Sequence, residues 1–121
     1  MKIFRIANAS IASIDLWLDD NRDPQDPKIK ELYSSTGNEV WVKTVEEAKS
    51  YIEQGNVRSI SFDNDLGEGI TEGHVLAKWI EEEAYFKRLP KIEWHVHSEN
   101  NVRNKEIFQA MTNADRFWNQ Q

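Results

Sequence analysis

The sequence predicts an α/β domain built on a doubly wound parallel sheet. Two observations lead there: four short segments rich in β-branched and aromatic residues, and amphipathic helical patterns that lie between and after them. Strands alternating with helices argue for a parallel sheet covered on its faces, and right-handed crossovers leave few topologies.

The first strand is expected over residues 14–19, where Ile-Asp-Leu-Trp-Leu runs into a pair of aspartates. Residues 21–38 are polar and loop-like, with Pro24, Pro27, Ser34, Ser35 and Gly37, although Ile29, Leu32 and Tyr33 allow one short turn of helix. Residues 40–43 make the second strand. Thr44 and Glu47 then have capping-box spacing, Val45, Ala48, Tyr51 and Ile52 fall on one face, and Gly55 stands just past the end of the resulting helix. Residues 59–63 form the third strand. Val75, Leu76, Trp79, Ile80 and Phe86 make a second amphipathic helix, which Pro90 forbids from continuing. Residues 92–97 alternate apolar and polar, as an edge strand does, with Glu93, His95 and His97 on the less covered face. Ile107, Phe108, Met111, Ala114, Phe117 and Trp118 close the chain with a third amphipathic helix. Residues 1–7 read equally as an added edge strand or a loose arm.

Composition bounds the function. The 121 residues, with no repeat or low-complexity linker, are expected to form one domain over residues 1–121. The absence of Cys excludes a disulfide scaffold and a thiolate zinc cluster and suits a reducing, cytoplasmic setting. No apolar stretch approaches the roughly 20 residues that cross a bilayer, and residues 1–13 lack the apolar block of a secretion signal, so no membrane partner is expected. With 15 basic against 21 acidic residues, the charge of -6 repels a polyphosphate backbone, which argues against broad duplex nucleic-acid binding.

Carboxylates cluster at the expected strand ends. Asp19 and Asp20 close the first strand; Asp63 closes the third, and Asp65 follows in Asp-Asn-Asp-Leu-Gly. If the first strand pairs with both the second and the third, Asp19, Asp20 and Asp63 meet at the switch point where ligands settle in such sheets. With Asp65 as a further donor, these three or four carboxylates make a hard-oxygen set that suits magnesium or manganese better than zinc. Asp20 and Asp65 are also good turn residues. His95 and His97, two apart on a strand, stand roughly 6 to 7 Å from each other and can address one phosphate or metal. Ser98 and Asn100 precede the last helix, where hydroxyl, amide and backbone donors can hold phosphate oxygens or simply cap the helix. His74, beside Gly73, reads as a surface residue.

Taken together, Leu18-Asp19-Asp20-x-Arg22-x-Pro24, Trp41-Val42-Lys43-Thr44 with Glu47-Ala48, Asp63-x-Asp65-Leu66-Gly67 and His97-Ser98-x-Asn100 form a pattern. It resembles the cyclic-phosphate processing receiver-like domains of bacteria and their phages, relatives of two-component receivers. The resemblance spans about residues 14 to 110. It implies a receiver-like (flavodoxin-like) fold and an acidic pocket in which Asp19, Asp20 and Asp63 hold a divalent cation, Asp63 standing where receivers accept a phosphoryl group. It further implies that His97, Ser98 and Asn100, with Arg22, handle phosphate. The chain departs from the family's habit in carrying Asn64 where a His is common, which leaves His95 as the second imidazole, and Asn101-Val102-Arg103 where Pro-Val-Gly is common.

The leading expectation is a metal-dependent phosphoesterase, a hydrolase acting on a cyclic phosphate of an RNA end or nucleotide, with His97, His95 and Asp63 catalytic. Two rivals stand beside it. One is a receiver-like signalling module phosphorylated on Asp63, against which counts the single helix's worth of chain left after His97. The other is a silent module that binds a nucleotide or a protein through Trp41, Trp94 and Trp118.

Overall fold

Period-two alternation decides how each strand is used. In β1 (Ile14–Leu18), Leu16 and Leu18 turn to one face of the sheet, while Asp15 and Trp17 turn to the other. The computed structural model describes residues 12–97 and 101–120. After β1 come α1 (Pro27–Tyr33), β2 (Val40–Val42), α2 (Val45–Glu53), β3 (Val57–Phe62), α3 (Gly73–Tyr85), β4 (Glu93–Val96) and α4 (Asn101–Asn119). The arm at residues 1–7 and the segment holding Ser98 and Asn100 lie outside the described residues.

The four strands are parallel, in the order β2-β1-β3-β4. The chain steps from β1 to one side and then returns to the other, so the switch point falls at β1, as expected. The fold is the receiver-like α/β arrangement.

Local chemistry starts and stops the helices. Asp26 caps α1 by accepting from Lys28 N, and Pro27 takes the first helical position, where its missing N–H costs nothing. Thr44 caps α2 through Glu47 N, while Glu47 reaches back to Lys43 N at 2.9 Å, a capping box displaced by one residue. Gly73, first in α3, lies so close to the end of β3 that an added Cβ would fall 2.3 Å from the Asp63 carbonyl.

The covering is lopsided. Leu16, Leu18, Ile60 and Phe62 pack against buried residues of α2, α3 and α4, among them Ile52, Ile80 and Met111, to form the core. Among the described residues, the opposite face meets α1, which buries none of its own residues, and the loop after it. A doubly wound sheet leads one to expect both faces covered; among the described residues, the seven of α1 leave the second face partly open.

Candidate functional site

Registers stack the polar face in rows. Asp15, Ser59 and Glu93 form one row across β1, β3 and β4, and Trp17, Ser61 and His95 form the next. The ladder bonds Asp63 N to Leu18 O and His97 N to Phe62 O carry the pattern one step beyond the strand ends, so Asp19, Asp63 and His97 make a third row. Each of these three was expected as the last residue of a strand and instead stands just past it. The backbone around them is thereby free of the sheet on one side.

Asp19 is fully buried and fully engaged. Its Oδ1 accepts the backbone N–H of Asn21 and of Arg22, both at 2.9 Å, while Oδ2 takes His97 Nε2 at 2.9 Å and Arg22 NH1 at 3.2 Å. Burial alone would raise its pKa, but the hydrogen bonds from His97, Arg22 and Asn21 outweigh it and hold the carboxyl below its ordinary value. Asp63 goes the other way. Burial, then the neighbouring charge of Asp19, push its carboxyl up to about 7, against the opposing pull of Arg22 at 3.7 Å. Asp20 is exposed at the rim. Asp19, Asp20 and Asp63 each offer a carboxylate oxygen, all within 4.8 Å of one another.

Asp65 is not brought into that group. It is exposed, its Oδ1 accepts Gly67 N at 3.2 Å, and its backbone N–H supports Asp63. The turn-forming chemistry that the sequence also allowed is the one its side chain adopts. Arg22 is placed over the Tyr33 ring, 4.7 Å from its centroid, with its guanidinium turned to Asp19 and Asp63.

His97 is buried rather than displayed on an open edge. Its ring stacks on Trp17, centroids 3.8 Å apart and planes 8° from parallel, and Trp17 is itself locked by donating Nε1–H to Arg22 O. Burial pulls the His97 pKa below its ordinary value, although Asp19 opposes this, which favours the neutral ring. The acceptor-only Asp19 carboxylate then requires the proton on Nε2, which leaves the Nδ1 lone pair facing Ser61 Oγ at 2.8 Å. Ser61 had drawn no attention in the sequence. Only its period-two placement beside Trp17 and His95 marks it.

His95 is exposed and pairs across the sheet with Ser61. A cavity of about 630 Å³ opens over this face, with Trp17, Tyr33, Glu39, Ser61, His95 and His97 in its walls. His74, expected at the surface, is half-buried and bonds Asn64, a buried residue that also ties down Glu72. The Asn64 side chain thus organises the start of α3.

None of the five tryptophans is exposed. Trp41 donates to Asp19 O at 2.6 Å, Trp94 to Asp115 and Trp118 to Leu89 O, so the indoles are tied into the fold and Trp41 and Trp94 stay partly accessible. Among the described residues, no helix is long and apolar enough to cross a membrane.

A family model described as Cyclic-phosphate processing Receiver domain matches residues 14–113. No curated protein and no solved structure matches the chain.

Proposed function

Because the chain belongs to the cyclic-phosphate processing receiver domains, we propose that it is a metal-dependent phosphoesterase that opens a cyclic phosphate on an RNA end or a nucleotide. The observation that carries this reading is His97, whose Nε2 meets the acidic cluster at Asp19 while its Nδ1 faces the cavity side.

The three carboxylates fit a cation. Asp63 is buried beside Asp19 with its charge only partly answered by Arg22, the deficit that a divalent ion makes good. Asp20 and Asp63, with Asp19 beside them, would hold magnesium or manganese, whose charge offsets that of the phosphoryl oxygens. Arg22 keeps further N–H donors for a phosphate oxygen beyond the one it gives Asp19. Asp63, at the end of the cluster, would orient an attacking water. His97, held in one tautomer by Asp19, moves protons at Nδ1, and His95 on the same face is the second imidazole within reach of substrate.

The test is phosphorus NMR of a 2′,3′-cyclic nucleotide incubated with the protein and magnesium or manganese. Ring opening is expected, stopped by EDTA and slowed about 10²- to 10⁴-fold in His97→Ala. A His97→Ala protein with the full rate overturns the role of His97, and a wild-type protein that opens no ring with either metal overturns the reaction.

A further inference from the structure

Two serines of β3 point to the open face, and their partners differ. Ser59 Oγ donates to Asp15 Oδ1 at 2.6 Å, a carboxylate that Arg58 grips through both oxygens at 3.0 and 2.6 Å. That acceptor is committed to Arg58 and is a poor base. Ser61 Oγ instead lies 2.8 Å from His97 Nδ1. In the neutral imidazole that donates Nε2–H to the acceptor-only Asp19 Oδ2 at 2.9 Å, Nδ1 is the acceptor and the Ser61 hydroxyl the donor. Hydroxyl to imidazole to carboxylate is the polarity of an activated serine, which is recognised by geometry and roles and not by order in the sequence.

The surroundings agree. Ser61 stands between Trp17 and His95 in register, and all three line the cavity with His97. His95 is exposed on the same face, opposite Ser61 in register.

We propose that Ser61 is a nucleophile that attacks an electrophilic phosphorus entering from the cavity on the open face of the sheet. The identity of that electrophile as a cyclic phosphate rests on the function proposed above. Ser61 Oγ forms a bond to phosphorus, one ring P–O bond breaks, and the serine proton passes through His97 Nδ1 to the departing ribose oxygen. Water then adds to phosphorus, its proton goes to His97, the Oγ–P bond breaks and His97 returns the proton to Ser61. The net change is one water consumed and one ring opened.

The test uses a small alkyl fluorophosphonate on the full chain, read by peptide mass spectrometry, since this probe needs neither metal nor cyclic phosphate. One phosphonyl group is expected on Ser61 and none on Ser59, the built-in control on the same strand. Labelling should vanish in Ser61→Ala and slow about 10²- to 10⁴-fold in His97→Asn, with both variants melting cooperatively. Ser61→Ala should also lose cyclic-phosphate opening by more than about a hundredfold. An unlabelled Ser61, or a Ser61→Ala protein that opens the ring at the wild-type rate, overturns the nucleophile and leaves the metal-dependent reaction standing. Labelling of Ser61 in a protein that opens no cyclic phosphate upholds the nucleophile and overturns the reaction.

Discussion

At Asp63, burial and a neighbouring charge work against folding. Its carboxyl rises from 3.8 to about 7 on folding, chiefly because it is buried and then because Asp19 lies beside it. Folding therefore favours its protonated form: the native state binds the extra proton between these values, so the contribution to stability falls as pH climbs through that window and is lowest above it. Asp63→Asn keeps the shape and removes the charge. In EDTA at pH 8 the variant should melt higher than wild type by about 5 °C or more, a few kcal/mol at about 1.4 kcal/mol per tenfold change in proton affinity. The advantage should shrink as pH falls toward 5, and an equal difference at both pH values in thermal melts would contradict the account. Comparing the two proteins cancels the opposite contribution of His97, whose pKa is lowered.

That Asp19, Asp63 and His97 gather at one edge of the sheet was legible because each closes an apolar strand run, where a buried element meets solvent. The sequence was less informative about Asp65, since the same Asp-Leu-Gly string serves ligands and turns, and the contest was decided by Gly67 N finding the Asp65 carboxylate. Ser61 was illegible because a small polar residue in a strand carries no chemical signature until its neighbour is known. Nor did alternation alone foretell that His97 would be drawn under cover by stacking on Trp17.

Elements are held where they are by close approaches as much as by caps. Gly73 opens α3 against the carbonyl of Asp63, and Gly73 N donates to Asn64 O at 2.8 Å. Alanine would ordinarily improve a helix by about 1 kcal/mol over glycine. Here its Cβ would meet backbone that cannot swing aside, so Gly73→Ala is expected to destabilise by about 1 to 3 kcal/mol and to shift Asp63 with it. Urea unfolding reads the sign directly, and a variant as stable as wild type would show that this contact is slack. The sequence disclosed α2 well, since Thr44, Glu47 and Gly55 mark its ends and one apolar face marks its middle. It disclosed α1 only as an allowed turn, and nothing in Ile29, Leu32 and Tyr33 announced that Leu32 would remain 68% exposed.

Over the whole molecule, the two faces of the sheet divide the labour. Three helices seal one face into a core, and the short α1 leaves the other as a polar floor that rises through Asp15 and Ser59, then Ser61 and His95, to Asp19, Asp63 and His97. Alternating strands and helices made the parallel sheet and its switch point legible, but coverage depends on helix length and docking, which periodicity does not report. On the function proposed above, the acidic end of this floor gathers one divalent cation. The most direct measurement of that binding is an electron paramagnetic resonance titration with manganese. A single bound ion per chain is predicted for the wild type, displaced by magnesium and lost in Asp63→Asn and Asp20→Asn variants that still melt cooperatively; an Asp63→Asn protein that binds manganese as tightly as the wild type would contradict it.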